Sequence, residues 1–269
     1  MSQARRPFKE VEESRPDFDH AAQFTVTKTR SPSWNWGNGA TDGGACLDKQ
    51  HVEVDPNEPG RPAHNNYKLL ISAIVPRPIG FIGTRNVDGN TQNLAPFSFT
   101  QVVNHDPPVF VIGFAGSNDK DTLRNLKATG ECVINIISEN FIEAANAASI
   151  DTPYGLSEWD VSGLTPAPCK DVNVSRVKES VFSVEGKLLE VKDFESRVHK
   201  GVKSGSMAII EGVRFWIRED AYDQQQGTID PAVLRPVYRL GGISYGRVTQ
   251  AFELPRFKYE EKKSELPKM

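Results

Sequence analysis

Short apolar runs separated by turn residues fill the middle of this 269-residue chain, and that pattern leaves few folds open. Ile79-Gly80-Phe81-Ile82-Gly83-Thr84-Arg85 reads as a strand, and Val87-Asp88-Gly89-Asn90 as a hairpin turn. Asn93 to Val103 is then the returning strand, and Asp106-Pro107-Pro108 makes the next corner. Val109 to Ala115 is apolar enough for a buried strand, and further strands are predicted over 131–137, Val181–Val191 and Ser206–Arg218. Strands that follow one another closely, with hairpin signals between them, favour antiparallel pairing. The expected fold class is mainly β with a few helices, an antiparallel barrel rather than a doubly wound sheet.

Helices are expected at three places. Tyr67–Ile74 makes a short one before Pro76. A second opens at Ser117-Asn118-Asp119, all good caps, carries Leu123 and Leu126 on one face, and ends at Gly130. A third covers 139–148, and 150–179 is loop-rich. Residues 1–62 are polar, rich in Gly, Pro, Asp and Asn, and hold no steady period. They form an N-terminal extension, docked or partly disordered. Trp34 and Trp36 are unusual for a disordered arm, so docking through them is expected. The barrel domain is placed at 63–252 and a polar C-terminal tail at 253–269.

Several function classes drop out. A net charge of −3 gives no electrostatic footprint for nucleic acid. No run approaches the roughly 18 apolar residues of a membrane span. The N-terminus lacks the apolar core of a signal peptide, so no membrane partner and a cytoplasmic location are expected. Cys46, Cys132 and Cys169 are odd in number and far apart, which argues against a disulfide framework or a zinc site. Cys132 lies in an apolar run and reads as a small buried hydrophobe. The five histidines are scattered, so no metal is expected. There is no H-E-x-x-H, G-x-G-x-x-G or phosphate-loop motif.

Two local features carry chemistry, each with a plain alternative. Asn93-Leu94-Ala95-Pro96-Phe97-Ser98-Phe99 puts a proline inside a strand pattern. Proline cannot donate to a central ladder, so the segment is an edge, a bulge or a break. A break leaves peptide groups free for a flat ligand rich in donors and acceptors; a plain edge strand needs none. Ser117 to Thr122 is a helix start with Ser, Lys and Thr, which suits a phosphate. It also suits an ordinary capped helix with an exposed lysine.

The order of motifs goes further. Pro76-Arg77-Pro78-Ile79-Gly80-Phe81-Ile82-Gly83-Thr84, Asp88-Gly89, Asn93 to Phe99, Asp106-Pro107-Pro108, Lys120-Asp121-Thr122 and Thr129-Gly130-Glu131-Cys132-Val133-Ile134-Asn135 together resemble the flavin reductase-like family of FMN-binding split barrels. The resemblance covers neither the first sixty residues nor the tail. It implies a split β-barrel, a homodimer and bound FMN. Carried to this sequence, it implies that Thr84, Asn93 and the backbone of Ala95, Pro96, Phe97 and Ser98 face the ring and ribityl chain. Ser98 and Thr100 are hydrogen-bonding candidates; Lys120, Asp121 and Thr122 would hold the phosphate, and Arg77 is a second phosphate candidate. Trp34, Trp36 and Trp159 either lid the flavin or pack.

The expected function is FMN-dependent redox catalysis on a small-molecule substrate. NADH or NADPH would deliver hydride to FMN, and electrons would pass on to a flavin, a metal complex or an organic acceptor. No dedicated acid or base is required, so no catalytic residue is assigned. The alternative is a non-catalytic flavin- or haem-binding split barrel.

Overall fold

Ser98 and Phe99 join strands that lie at opposite edges of one sheet, and this crossing shapes the molecule. In a computed structural model, residues 7–266 are described. Met1–Arg6, on which the expectation about a signal peptide falls, and the last three residues of the tail lie outside that range. The strands are β1 (Gly80–Arg85), β2 (Gln92–Phe97), β3 (Thr100–His105), β4 (Pro108–Ala115), β5 (Glu131–Ile136), β6 (Phe182–Glu195) and β7 (Lys203–Ile217). They form a seven-stranded sheet in the order β2-β1-β5-β6-β7-β4-β3. Every pairing is antiparallel.

Since only two residues connect β2 to β3, the outer strands must approach and the sheet must curl. The seam is tight. Gly113 N–H donates to the Phe99 carbonyl at 2.7 Å. A Cβ on Gly80 of β1 would lie 2.8 Å from Thr100 of β3, so only glycine lets these strands approach so closely. No ladder joins β2 to β3, so the barrel is split there.

The two faces of the sheet bury different sets of side chains, as the two-residue period of a strand requires. Ile82 and Ile134 pack with Ile112, Phe114 and Ile210, and with Leu123 and Leu126 of a helix. Phe81, next in the chain, packs on the other side with Leu94, Phe141, Trp159 and Val237. Both faces of β1 and β5 are therefore covered, which is why these strands read as continuous apolar runs. Cys132 is fully buried. The helices that position the site are α1 (Ala63–Ala73), α2 (Asp121–Thr129), α3 (Ile142–Ala147) and α4 (Glu158–Ser162). Among the described residues no helix is long and apolar enough to cross a membrane.

Several expectations are corrected. Asn93–Val103 is not one returning strand: it divides at Ser98-Phe99 into β2 and β3, because the chain changes edges there. β4 has only Ile112 and Phe114 buried, because it lies next to the edge strand β3. The helix expected from Ser117 starts at Asp121. The arm docks on the 63–252 region through Asp19, Ala22 and Thr25–Thr27 rather than through its tryptophans. Thr25–Thr27 pairs in parallel with Gln250–Phe252, and Arg247 donates to the Asp19 carbonyl at 2.9 Å. Trp34 meets Trp36 edge to face, and Trp36 meets Phe257 of the tail.

A fully buried carboxylate fastens the long loop before β6 to the barrel wall. Glu185 accepts the backbone N–H groups of Lys170 at 2.9 Å, Asp171 at 2.6 Å and Val172 at 3.0 Å, and the Trp216 indole N–H at 2.6 Å. Burial opposes the charge, but these donors more than offset it and hold the carboxyl below its usual range. A depressed folded-state pKa stabilises the fold above the unfolded value of about 4.3 and is lost as pH falls through the folded value. Glu185→Gln leaves at least one buried N–H unsatisfied and should cost roughly 1–3 kcal/mol near neutral pH. Urea unfolding of wild type and variant at pH 7 and pH 3 checks this: the gap should narrow in acid, and an equal gap at both pH values would refute the assignment.

Candidate functional site

A cleft of about 390 Å³ opens where the free edge of β2 meets the start of α2. Asn93, Ala95, Pro96 and Phe97 form one wall, residues 118–122 the second, and residues 148–152 with Glu158 the third.

β2 pairs with β1 on one side alone. On its other side Leu94 N–H donates to Glu158 Oε2 at 3.1 Å, and the Gln92 carbonyl accepts the Ser157 hydroxyl at 2.5 Å. Residues 92, 94 and 96 thus turn their peptide groups away from β1. Pro96 falls in that set, so its missing N–H removes no ladder bond. Beyond Leu94 this edge has no strand partner, which leaves the carbonyls of Leu94 and Pro96 on the open side of β2.

The helix side is equally open. Lys120 occupies the N-cap position of α2 and makes no side-chain capping bond. Arg124 N–H is the first to find a helical acceptor, the Lys120 carbonyl at 2.9 Å. The N–H groups of Asp121, Thr122 and Leu123 and the positive end of the helix are therefore presented to the cleft. Gly130 closes the helix in the left-handed region, φ 71°. A buried polar net fixes this helix to the sheet. The Asn93 amide donates to the Thr122 hydroxyl at 2.8 Å, and the Asn125 amide to the Thr84 hydroxyl at 3.3 Å. Tyr154 donates to Asn125 Oδ1 at 3.0 Å, tying the third wall to the same net.

Charges around the cleft are mostly committed. Asp119 is bound by Lys127 at 2.8 Å and by Lys203, and these lysines hold its carboxyl low. Glu158 is buried and also accepts the Thr152 hydroxyl at 2.6 Å. Burial, then Glu158, push the Asp121 carboxyl up. Lys120 pairs with Asp151 at 3.4 Å, with side-chain exposures of 56% and 93%. A pair this exposed is weak and open to exchange for a stronger anion.

The structure thus brings together Asn93, Ala95, Pro96, Phe97, Lys120, Asp121 and Thr122. Thr84 is fully buried behind them. Thr100 donates to the Phe97 carbonyl at 2.8 Å and lies at the seam, next to Ser98. Arg77 stands apart from Lys120: its guanidinium is engaged with backbone carbonyls and Ser98. Trp159 packs in the core, and neither Trp34 nor Trp36 lines the cleft. Sequence reasoning missed the third wall, Asp151, Thr152 and Glu158; Asp151 and Glu158 are bound to Lys120 and Leu94, 31 and 64 residues away. Among the described residues no group of three metal-ligating side chains forms. The arrangement suits an elongated ligand with an anionic end at α2 and a flat, hydrogen-bonding body along β2.

Comparison with known proteins agrees with this geometry. The sequence profile of the flavin reductase like domain matches residues 72–235. An uncharacterised protein of Halalkalibacterium halodurans is 38% identical over 212 residues, covering 76% of this chain and 96% of the relative. The crystal structure of nitrilotriacetate monooxygenase component B from Bacillus cereus superposes with a TM-score of 0.72 at 30% identity, over 77% of this chain and 100% of that one. The 2-nitrobenzoate 2-nitroreductase NbaA of Pseudomonas fluorescens gives a TM-score of 0.67 at 28% identity, over 78% and 98%. The chain belongs to the flavin reductase-like domain family.

Proposed function

We propose that this chain is an FMN-dependent oxidoreductase that takes hydride from NADH or NADPH and passes electrons to a flavin, a metal complex or a small organic acceptor. The observation that carries this reading is the meeting of an unpaired strand edge with an uncapped helix N-terminus across one cleft. The monooxygenase component and the nitroreductase that it resembles bear names of redox systems, which supports the same class.

The donor set fits FMN. Lys120 and the N–H groups of Asp121 and Thr122 match a phosphate dianion, and the carboxylates nearby do not oppose it strongly. Asp119 is neutralised by two lysines, and burial, then the neighbouring Glu158, push the Asp121 carboxyl above its usual range. The edge of β2 offers backbone groups to a ribityl chain and a ring, and Pro96 adds a flat apolar surface with no N–H to satisfy. Bound FMN would supply the two-electron chemistry; the chain binds, orients and excludes water. Thr84, Asn93 and Thr122 hold the two walls in register. A homodimer is part of this reading. Edge strand β3 exposes Val102 and Val103, and an apolar edge of this kind is ordinarily covered.

The purified protein should show oxidised-flavin absorbance without a Soret band. Anaerobic NADH or NADPH should bleach it. Flavin that resists both nicotinamides would make the protein a carrier, and a Soret band would make it a haem protein. Lys120→Ala removes a charge-assisted contact and should weaken FMN binding by about 1.5–3 kcal/mol in a fluorescence titration. Unchanged affinity would refute the phosphate assignment.

A further inference from the structure

At the far end of β2 lies a buried cation with no anion beside it. Arg77 is only 7% exposed. Its guanidinium donates to the carbonyls of Ile71, Ile74 at 2.9 Å and Leu240 at 2.8 Å, all neutral acceptors. None of the ion pairs among the described residues includes it. Burial, first, and the like charge of Arg239 disfavour its charge, with Tyr67 acting the other way. A guanidinium does not shed its proton in a protein. A charge of this kind is costly to bury unless something compensates it. The carbonyl clamp explains how Arg77 is held; it does not supply a counter-charge.

The remaining contact points to where one would come from. Arg77 Nε lies 3.5 Å from Ser98 Oγ. Ser98 follows directly on β2, half-buried at the barrel seam. With Arg77 approaching its oxygen, the Ser98 hydroxyl is free to direct its own proton elsewhere. Asn93, at the other end, is bonded to Thr122 in the first turn of α2. Five residues of strand separate Asn93 from Ser98, roughly 17 Å at about 3.3 Å per residue. Lys120 lines the cleft, whereas Arg77 does not and is held at the Ser98 end by the carbonyl clamp. An extended FMN with its phosphate at α2 reaches Ser98 with its ring.

We propose, resting on the FMN reading above, that Arg77 is a positioning residue for the flavin ring: through Ser98 it stabilises the negative charge that the ring gains on reduction. Hydride passes from the nicotinamide to ring N5, the nicotinamide leaves oxidised, and one net negative charge remains on the pyrimidine edge. Arg77 keeps its proton and forms no covalent bond. Its charge is present before the electrons arrive, so reduction supplies the missing counter-ion. Arg77 thereby raises the flavin's reduction potential, a property that charge near the ring is known to tune.

The test measures dissociation constants for oxidised and for dithionite-reduced FMN, under anaerobic conditions, with wild type, Arg77→Gln, Arg77→Lys and Ser98→Ala. In Arg77→Gln the preference for reduced over oxidised FMN should fall about tenfold, equivalent to a midpoint potential about 30 mV lower for a two-electron couple. Arg77→Lys should keep most of the preference. Ser98→Ala, which leaves the carbonyl clamp intact, should lose part of it, and it decides the matter if Arg77→Gln does not fold. Equal weakening of both redox forms in Arg77→Gln would make Arg77 a phosphate ligand and overturn the proposal. An unchanged preference in the folded variants would also overturn it, while leaving the FMN reading standing. Failure of the wild type to bind FMN at all would remove both.

Discussion

The two-residue passage from β2 to β3 governs the rest of this structure. It forces the sheet's edges together, and close approach at Gly80 and Gly113 makes that geometry possible. Yet it joins the edges by a covalent crossing and not by a ladder, so β2 keeps an unpaired side. An exposed edge is ordinarily a hazard for a β-protein. Here it is partly occupied by Glu158 and Ser157 and otherwise faced by a helix terminus, which turns it into one wall of a cleft. The site follows from how the barrel closes.

The electrostatics of the cleft divide along β2. At one end, an uncapped helix start and Lys120 offer positive potential near solvent, and Lys120 itself is paired only with the exposed Asp151. At the other, Arg77 is a fixed charge under the seam, shielded from water. Charges near solvent are screened and serve recognition; buried ones act strongly over short distances. The division suits a ligand that carries a constant charge at one end and a changing charge at the other.

Much of this was legible in the chain, and what was not has identifiable causes. β1, the hairpin turn at Gly89 and the Gly130 helix stop follow from local patterns that the structure keeps. The division of Asn93–Val103 was only hinted at by Pro96, because apolar character runs on through Phe97 and Phe99 and nothing local marks a change of edge at Ser98. The start of α2 was misplaced because Ser117, Asn118 and Asp119 are all good caps, yet Asp119 is drawn instead to Lys127 and to Lys203 of β7. Glu158 had no visible role because its partner, Leu94, is 64 residues away. Arg77's carbonyl partners could not be read from the chain, since they include Leu240, 163 residues distant.

Amide hydrogen exchange with and without FMN tests the central claim most directly. Binding between the β2 edge and the first turn of α2 should slow exchange at Ser98 and at Asp121, Thr122 and Leu123, and should leave the groove lined by Phe18, Glu139 and Arg247 unchanged. Protection that appears in that groove, with none along β2 or at the start of α2, would contradict the account.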